Sequence, residues 1–203
     1  MLFDNRFPDV STLFRDIRAV LLDRDGVVNK DSDDFIKSPM EWEVLPGVIE
    51  AIHRLHVAGL PVGICSNQSG IARGIVPMAQ LIAINKRIHT EVRQGGGSIG
   101  LIRYCPHGPE VGCRCRKPAP GMILDACRWL SVSPVSTLFI GDRRTDLQAA
   151  NAAGCQAALV RTGHGNRTEL ELRDPTLAVF DDLSQVVDFV LHSRPEQTFI
   201  HQD

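Results

Sequence analysis

Short apolar runs alternate along this chain with segments of helical periodicity, and that alternation restricts the fold more than any other feature. Ala19 to Leu22, Leu60 to Cys65, Ile99 to Tyr104, Thr137 to Ile140 and Ala157 to Val160 are brief and rich in aliphatic side chains, as buried strands are. Between them, Val48, Ile52 and Leu55 recur at helical spacing after Pro46-Gly47, up to about Ala58, where Gly59 stops the helix. Leu81, Ile84, Ile88 and Val92 follow at steps of three, four and four residues, until Gly95-Gly96-Gly97 breaks the run. Further helices are predicted from about Gly121 to Leu130, opened by Pro120, and from Thr145 to Ala153. Ala178 to Phe180 and Leu183 to Leu191 add a final strand and helix. This order predicts an α/β, Rossmann-like three-layer fold, with a central parallel sheet, right-handed crossovers and helices on both faces.

At 203 residues and 43% hydrophobic content, the chain is long enough for one substantial core and short for two. A single domain over residues 1–203 is therefore expected, its core spanning about 19–191. A short lead-in precedes it and a loose tail follows Ser193. The N-terminus mixes Asp and Arg with Phe and Leu and lacks the basic-then-apolar order of a secretory leader. No apolar run approaches the roughly 18 residues of a membrane helix, so a cytoplasmic protein without a membrane partner is expected. A formal net charge of -2 and only 5% aromatics supply neither a basic groove nor stacking platforms, which argues against nucleic acid as a partner. Nothing demands more than a monomer. Three of the six cysteines crowd between Cys105 and Cys115, which in a chain without an export signal reads as a metal site rather than as disulfides. Cys65, Cys127 and Cys155 lie in or beside apolar segments and read as small buried hydrophobes, as Trp42 and Trp129 read as packing residues.

Chemistry is concentrated where the strands end. The first releases Asp23-Arg-Asp25-Gly26, two carboxylates followed by a turn residue; the second releases Ser66-Asn67-Gln68-Ser69-Gly70, hydroxyl and amide groups ending in glycine. The loop after the third leads to Arg116-Lys117-Pro118, and the fourth gives Gly141-Asp142-Arg143 with Asp146 one helical turn on. Taken singly, each has a plain explanation as a helix cap, a solvated charge or a turn. In a parallel sheet, however, all four lie along one edge, where open α/β sheets bind ligands. Paired carboxylates there can hold Mg²⁺, attack a phosphoryl group, or divide acid and nucleophile roles. In the same loop, Cys105-x-His107 and Cys113-x-Cys115 supply three thiolates and an imidazole, a full tetrahedral set for Zn²⁺. Closing such a site would order Pro106 to Gly112, which offer little to bury, and would hold Arg116 and Lys117 over a phosphate.

The four clusters, in this order, resemble the motifs of the haloacid dehalogenase (HAD) phosphatase superfamily. Asp23-Arg-Asp-Gly-Val-Val-Asn29, Ser66-Asn-Gln-Ser-Gly-Ile-Ala-Arg-Gly74, Cys-Arg-Cys-Arg-Lys-Pro118 and Gly141-Asp142 resemble in particular the small heptose-bisphosphate phosphatase group and its relative, the histidinol-phosphatase domain. The resemblance runs from about Ala19 to Gly163. It implies a phosphoric monoester hydrolase that forms an aspartyl-phosphate on Asp23, with Asp25 as general acid and then general base, in an environment that raises its pKa. It implies Mg²⁺ held by Asp142, the Asp23 side chain and the Asp25 backbone carbonyl, with Ser66 and Lys117 gripping phosphoryl oxygens and Arg143 supporting the carboxylates. It implies structural Zn²⁺ on Cys105, His107, Cys113 and Cys115.

The substrate implied is a small sugar phosphate, D-glycero-D-manno-heptose 1,7-bisphosphate losing its 7-phosphate on the route to a nucleotide-activated heptose. The contacts expected for it are Asp31, Ser32, Asp33, Asp34, Asn67, Gln68, Ser69 and Arg116, whose fork suits a second phosphate. Phe35 stands where the group usually has Tyr, so one hydroxyl donor is missing from that loop. Histidinol-phosphate hydrolysis is the nearest rival. A 3′-phosphatase for polynucleotide ends lacks its basic groove, and a non-catalytic binding protein would have no need of Asp23 and Asp25 together with Lys117 and Asp142.

Overall fold

A computed structural model describes residue 14 and residues 16–193. Most of the expected lead-in and all of the tail after Ser193 lie outside the described residues. The described chain builds one six-stranded sheet from β1 (Ala19–Leu22), β2 (Val62–Asn67), β3 (Leu101–Cys105), β4 (Thr137–Gly141), β5 (Gln156–Val160) and β6 (Val179–Phe180). All pairings are parallel, in the order β3-β2-β1-β4-β5-β6. The helices are α1 (Val48–Val57), α2 (Met78–Gln94), α3 (Gly121–Trp129), α4 (Arg144–Ala153), α5 (Gly165–Leu172) and α6 (Leu183–His192).

The two faces of the sheet are divided by side-chain alternation. Val20 and Leu22 point with Ile64, Leu138 and Ile140 into a core closed by Ile52 and Leu55 of α1, Ile84 and Ile88 of α2, and Val186 and Val190 of α6. Leu21, Cys65 and Phe139 point the other way, onto Ile123 and Ala126 of α3 and Ala149 and Ala150 of α4. The central strand β1 is wholly buried on both faces, which explains why its sequence is continuously apolar rather than alternating. Trp42 is buried as expected, whereas Trp129 is 65% exposed and carries the Arg103 guanidinium 5.0 Å over its ring. Its position at the last turn of α3 points it away from the core that Ile123 and Ala126 fill.

β3 runs Leu101–Cys105 rather than from Ile99, and two further departures from the sequence-based expectation have physical reasons. β2 starts at Val62 rather than Leu60, because the Leu60 amide donates back to Leu55 O at the end of α1, and Pro61 has no amide to give the sheet. The helix α5 is not legible from periodicity, since it buries only Gly165 and Thr168 and leaves Leu170 exposed. Among the described residues no helix is long and apolar enough to cross a membrane.

Register is what positions the site. Leu22 lies beside Ile64 of β2 and Ile140 of β4, so the residues that leave these strands emerge at one level. The chain turns outward in opposite directions from β1 to β2 and from β1 to β4, and the opening this leaves at the strands' carboxyl ends is where such sheets bind ligands. Leu22→Ala should cost about 2–5 kcal/mol by opening a cavity in the central strand, which is packed on both faces. Chemical denaturation should show a lower midpoint with an unchanged slope; an unaltered midpoint would contradict this packing.

Candidate active site

The floor of the opening is an ion pair. Asp23, 6% exposed, leaves β1 with Oδ1 accepting from the Arg24 amide at 2.7 Å and lying 2.8 Å from Lys117 Nζ. The same ammonium is 2.6 Å from Asp146 Oδ1 and donates to Cys65 O at 2.9 Å, above the Phe139 ring. Lys117 is 2% exposed; burial alone would lower its pKa, but the Asp146 and Asp23 carboxylates drive it well above the usual lysine value. Its backbone is clamped in both directions by Asn67: Nδ2 donates to Lys117 O at 3.0 Å, and the Lys117 amide donates to Oδ1 at 3.1 Å. Asn67 thus holds the protein itself, beside whatever it offers a ligand.

Asp142 and Asp146 arrive from β4 and the first turn of α4. Oxygens of Asp23, Asp142 and Asp146 all lie within 4.8 Å of one another, against one ammonium. Burial, with the neighbouring Asp146 charge, pushes Asp23 up to about 7 despite Lys117. Burial and the charges of Asp23 and Asp146 push Asp142 up to about 8. Asp142 Oδ2 accepts from the His164 amide at 2.8 Å, while its buried Oδ1 has no partner. A Cβ on Gly26 or on Gly163, both at positive φ, would stand 2.3 Å from Oδ2, so only glycine lets the two loops close on this carboxylate. An orphaned buried oxygen, hard donors and surplus negative charge suit a small divalent cation such as Mg²⁺.

Asp25 behaves differently from the sequence-based expectation of a raised pKa. Burial does push it up, but the Arg24 guanidinium and hydrogen bonds from Asn29, Arg24 and Gln68 outweigh that and lower it. Oδ1 accepts from Arg24 Nε (3.1 Å), Arg24 Nη2 (2.9 Å) and Asn29 Nδ2 (2.9 Å). Oδ2 accepts from Arg24 Nη2 (3.0 Å) and Gln68 Nε2 (2.7 Å). Sequence reasoning passed over Arg24 and Asn29; the available signal was a cation between two carboxylates at the end of a buried strand, a charge that has to be paired there.

The walls form a cleft of about 480 Å³. Asp31, Ser32, Asp33, Ser66, Asn67, Gln68, Ser69 and Arg116 all line it, whereas exposed Asp34 does not and donates its amide to Ser32 Oγ. The Arg143 side chain reaches Asp31 Oδ2 at 2.6 Å rather than the buried carboxylates; its backbone amide serves those, donating to Asp146 Oδ2 at 3.0 Å. His164 Nε2 stands 3.1 Å from the same Asp31 oxygen, so three loops meet there. Phe35 lines the cleft at φ +63°, with Arg73 5.9 Å over its ring.

The cysteine loop closes as its composition predicts. Cys115 Sγ is 3.4 Å from each of Cys105 Sγ, Cys113 Sγ and His107 Nδ1, and Cys105 Sγ is 3.5 Å from Cys113 Sγ and from His107 Nδ1. A regular tetrahedron with these edges has its centre about 2.1 Å from every corner, within the range of zinc bonds to nitrogen and sulfur. The donor set therefore fits zinc in chemistry and in size. The loop is tied to the cleft at both ends: the Gln68 amide donates to Cys105 O at 2.7 Å, and Arg116 Nη1 donates to His107 O at 3.2 Å.

Comparison with known proteins agrees with this geometry. The HAD-hydrolase-like family matches residues 114–186. The D-glycero-beta-D-manno-heptose-1,7-bisphosphate 7-phosphatase of Pseudomonas aeruginosa is 48% identical over 172 residues, 85% of this chain and 97% of that protein. Its counterpart from Pseudomonas putida is 45% identical over 84% of this chain and 97% of that protein. The crystal structure of D,D-heptose 1,7-bisphosphate phosphatase from B. bronchiseptica, complexed with magnesium and phosphate, superposes with a TM-score of 0.83 at 45% identity, covering 87% of this chain and 99% of that one. A sheet edge carrying Asp23, Asp25, Lys117 and Asp142 together, with likenesses of this extent, places the chain in the D-glycero-beta-D-manno-heptose-1,7-bisphosphate 7-phosphatase family of the HAD-like hydrolases.

Proposed function

We propose that this chain is a phosphatase that removes the 7-phosphate of D-glycero-beta-D-manno-heptose 1,7-bisphosphate, with Asp23 as the nucleophile. The observation that carries this reading is the buried Asp23–Lys117–Asp146 arrangement at the bottom of a cleft whose rim holds Arg116. Lys117 keeps Asp23 oriented and offers positive charge where phosphoryl oxygens collect, and the Ser66 hydroxyl adds a donor beside it. Asp23 attacks phosphorus as the bond to the sugar oxygen breaks, and Asp25 protonates that oxygen. Water then displaces phosphate from Asp23, giving its proton to Asp25. Mg²⁺, held by Asp23, Asp142 and the Asp25 carbonyl, would screen carboxylate from phosphate and stabilise the transition-state charge. Arg116 meets the second phosphate as a fork.

Zinc on Cys105, His107, Cys113 and Cys115 would fix Arg116 and the approach to Lys117. Three thiolates kept free for zinc accord with the reducing cytoplasm, and a monomer is the proposed state.

Phosphate release should be far faster from the heptose bisphosphate than from histidinol phosphate, and Asp23→Asn should slow it on the order of 10⁴-fold or more; preference for histidinol phosphate would sink the substrate assignment. Stripping zinc while Mg²⁺ stays in excess should abolish most of the activity, with recovery on adding zinc alone. Untouched activity would separate the cysteine loop from catalysis. Without metal, folded Asp23 and Asp142 retain protons that the unfolded chain releases near its ordinary value of 3.8. The metal-free stability that these two carboxyls contribute should therefore fall as pH rises from about 4 to about 8, the unfolded chain binding fewer protons at both, so Asp142→Asn should flatten the fall. Excess Mg²⁺ should raise the melting temperature more at about pH 8 than at about pH 6, where it competes with those protons; equal gains would refute the site.

A further inference from the structure

Gln68 is expected from its sequence position to touch the substrate, yet its amide nitrogen is already committed. Nε2 donates to Asp25 Oδ2 at 2.7 Å and to Ser66 Oγ at 2.8 Å, which uses both of its hydrogens. The orientation of the amide is fixed by chemistry, because an ionised carboxylate only accepts and so must face the nitrogen rather than the oxygen. Gln68 is 5% exposed, and its own backbone amide is bonded to Cys105 O. One buried, well-anchored side chain thus joins the proton-transfer carboxylate to the hydroxyl beside Lys117.

We infer that Gln68 is a positioning residue for proton transfer, holding Asp25 and Ser66 through a single nitrogen, and not a substrate contact. This rests on the functional reading above and deepens it. Both Asp25 oxygens are filled by N–H donors: Arg24 spans the two, Asn29 takes Oδ1 and Gln68 takes Oδ2. A proton can join the carboxylate only where a donor withdraws. Arg24 and Asn29 belong to the same turn as Asp25, and Arg24 is 1% exposed, so neither can leave without disturbing that turn. Gln68 comes from a separate strand end and lines the cleft, so Oδ2 is the oxygen that exchanges a Gln68 hydrogen bond for a proton.

Because Ser66 Oγ accepts from Gln68, its own hydrogen is free to donate to a phosphoryl oxygen. In the first displacement the Asp25 proton passes to the bridging oxygen as the P–O bond to the alcohol breaks and the Asp23 O–P bond forms. Asp25 is left as a carboxylate that Gln68 can hold again. In the second, water adds to phosphorus, the Asp23 O–P bond breaks, and the water proton returns to Asp25.

The test compares an alkyl with an aryl leaving group. Only the poorly leaving sugar oxygen needs the Asp25 proton, whereas nitrophenolate leaves without one. Since kcat/KM reports the first displacement, Gln68→Met should lower it for both substrates through Ser66, but about 10²-fold further for the heptose bisphosphate than for p-nitrophenyl phosphate. In an Asp25→Asn background the Gln68→Met change should cost the heptose bisphosphate no more than it costs p-nitrophenyl phosphate, the Ser66 share alone. Equal losses on both substrates would overturn the inference, and so would full additivity with Asp25→Asn. A higher KM at unchanged kcat would make Gln68 a substrate contact after all. Gln68→Leu is read the same way if the Met variant does not fold. If wild-type protein with Mg²⁺ and zinc cleaves p-nitrophenyl phosphate but not the heptose bisphosphate, the substrate reading fails, and the Gln68 comparison proceeds with another alkyl phosphate.

Discussion

The ammonium of Lys117, sealed between Asp23 and Asp146, is the contact on which the rest of the site stands. Three acidic side chains meet where water is largely excluded, an arrangement that burial and mutual repulsion both oppose. One cation inside the cluster offsets part of that cost, and it does so from a loop remote in sequence from β1 and α4. Removing the lysine charge would leave buried carboxylates uncompensated, which is far more damaging than the loss of an exposed ion pair. The pair is therefore structural and chemical at once: the charge that stabilises the acidic cluster is the charge a phosphoryl group would meet.

Lys117 reaches this position because the loop carrying it is anchored from two sides. Asn67 grips its peptide group, and the cysteine–histidine cluster gathers the residues before it into a compact knot. Gln68, the next residue after Asn67, is bonded to the first cysteine of that knot. Two neighbouring residues at the end of β2 thereby connect the knot to both sides of the cleft, Asn67 to Lys117 and Gln68 to Asp25. A metal bound to that knot would in this way act on the proposed chemistry without touching the substrate.

Much of this was legible in the sequence, because the fold converts chain order into spatial order in a simple way. Parallel strands of similar length put every strand-end cluster on one edge, so Asp23, Ser66, Lys117 and Asp142 could be assembled from their neighbours alone. Cys105, His107, Cys113 and Cys115, grouped from their crowding and from the family resemblance, do come together in one cluster. What escaped was second-order. Asp25 was expected to be crowded by negative charge, but the side chain of Arg24 folds back onto it, and a rotamer choice of that kind leaves no trace in spacing. Arg143 was assigned to the buried carboxylates, yet its side chain spans to Asp31 while its amide does the buried work. The helix α5 was invisible because it covers the sheet with so little apolar surface.

The paired glycines beside Asp142 have a further consequence. With Gly26 and Gly163 pressed against one oxygen and the His164 amide bonded to it, the carboxylate is left with a single oxygen to offer. Calcium favours wide, irregular shells and often takes both oxygens of one carboxylate; magnesium prefers six well-separated donors at short range. A divalent ion held here would meet Asp142 through that one oxygen, a geometry that suits the separate donors of a magnesium shell better than the two-oxygen grip common for calcium.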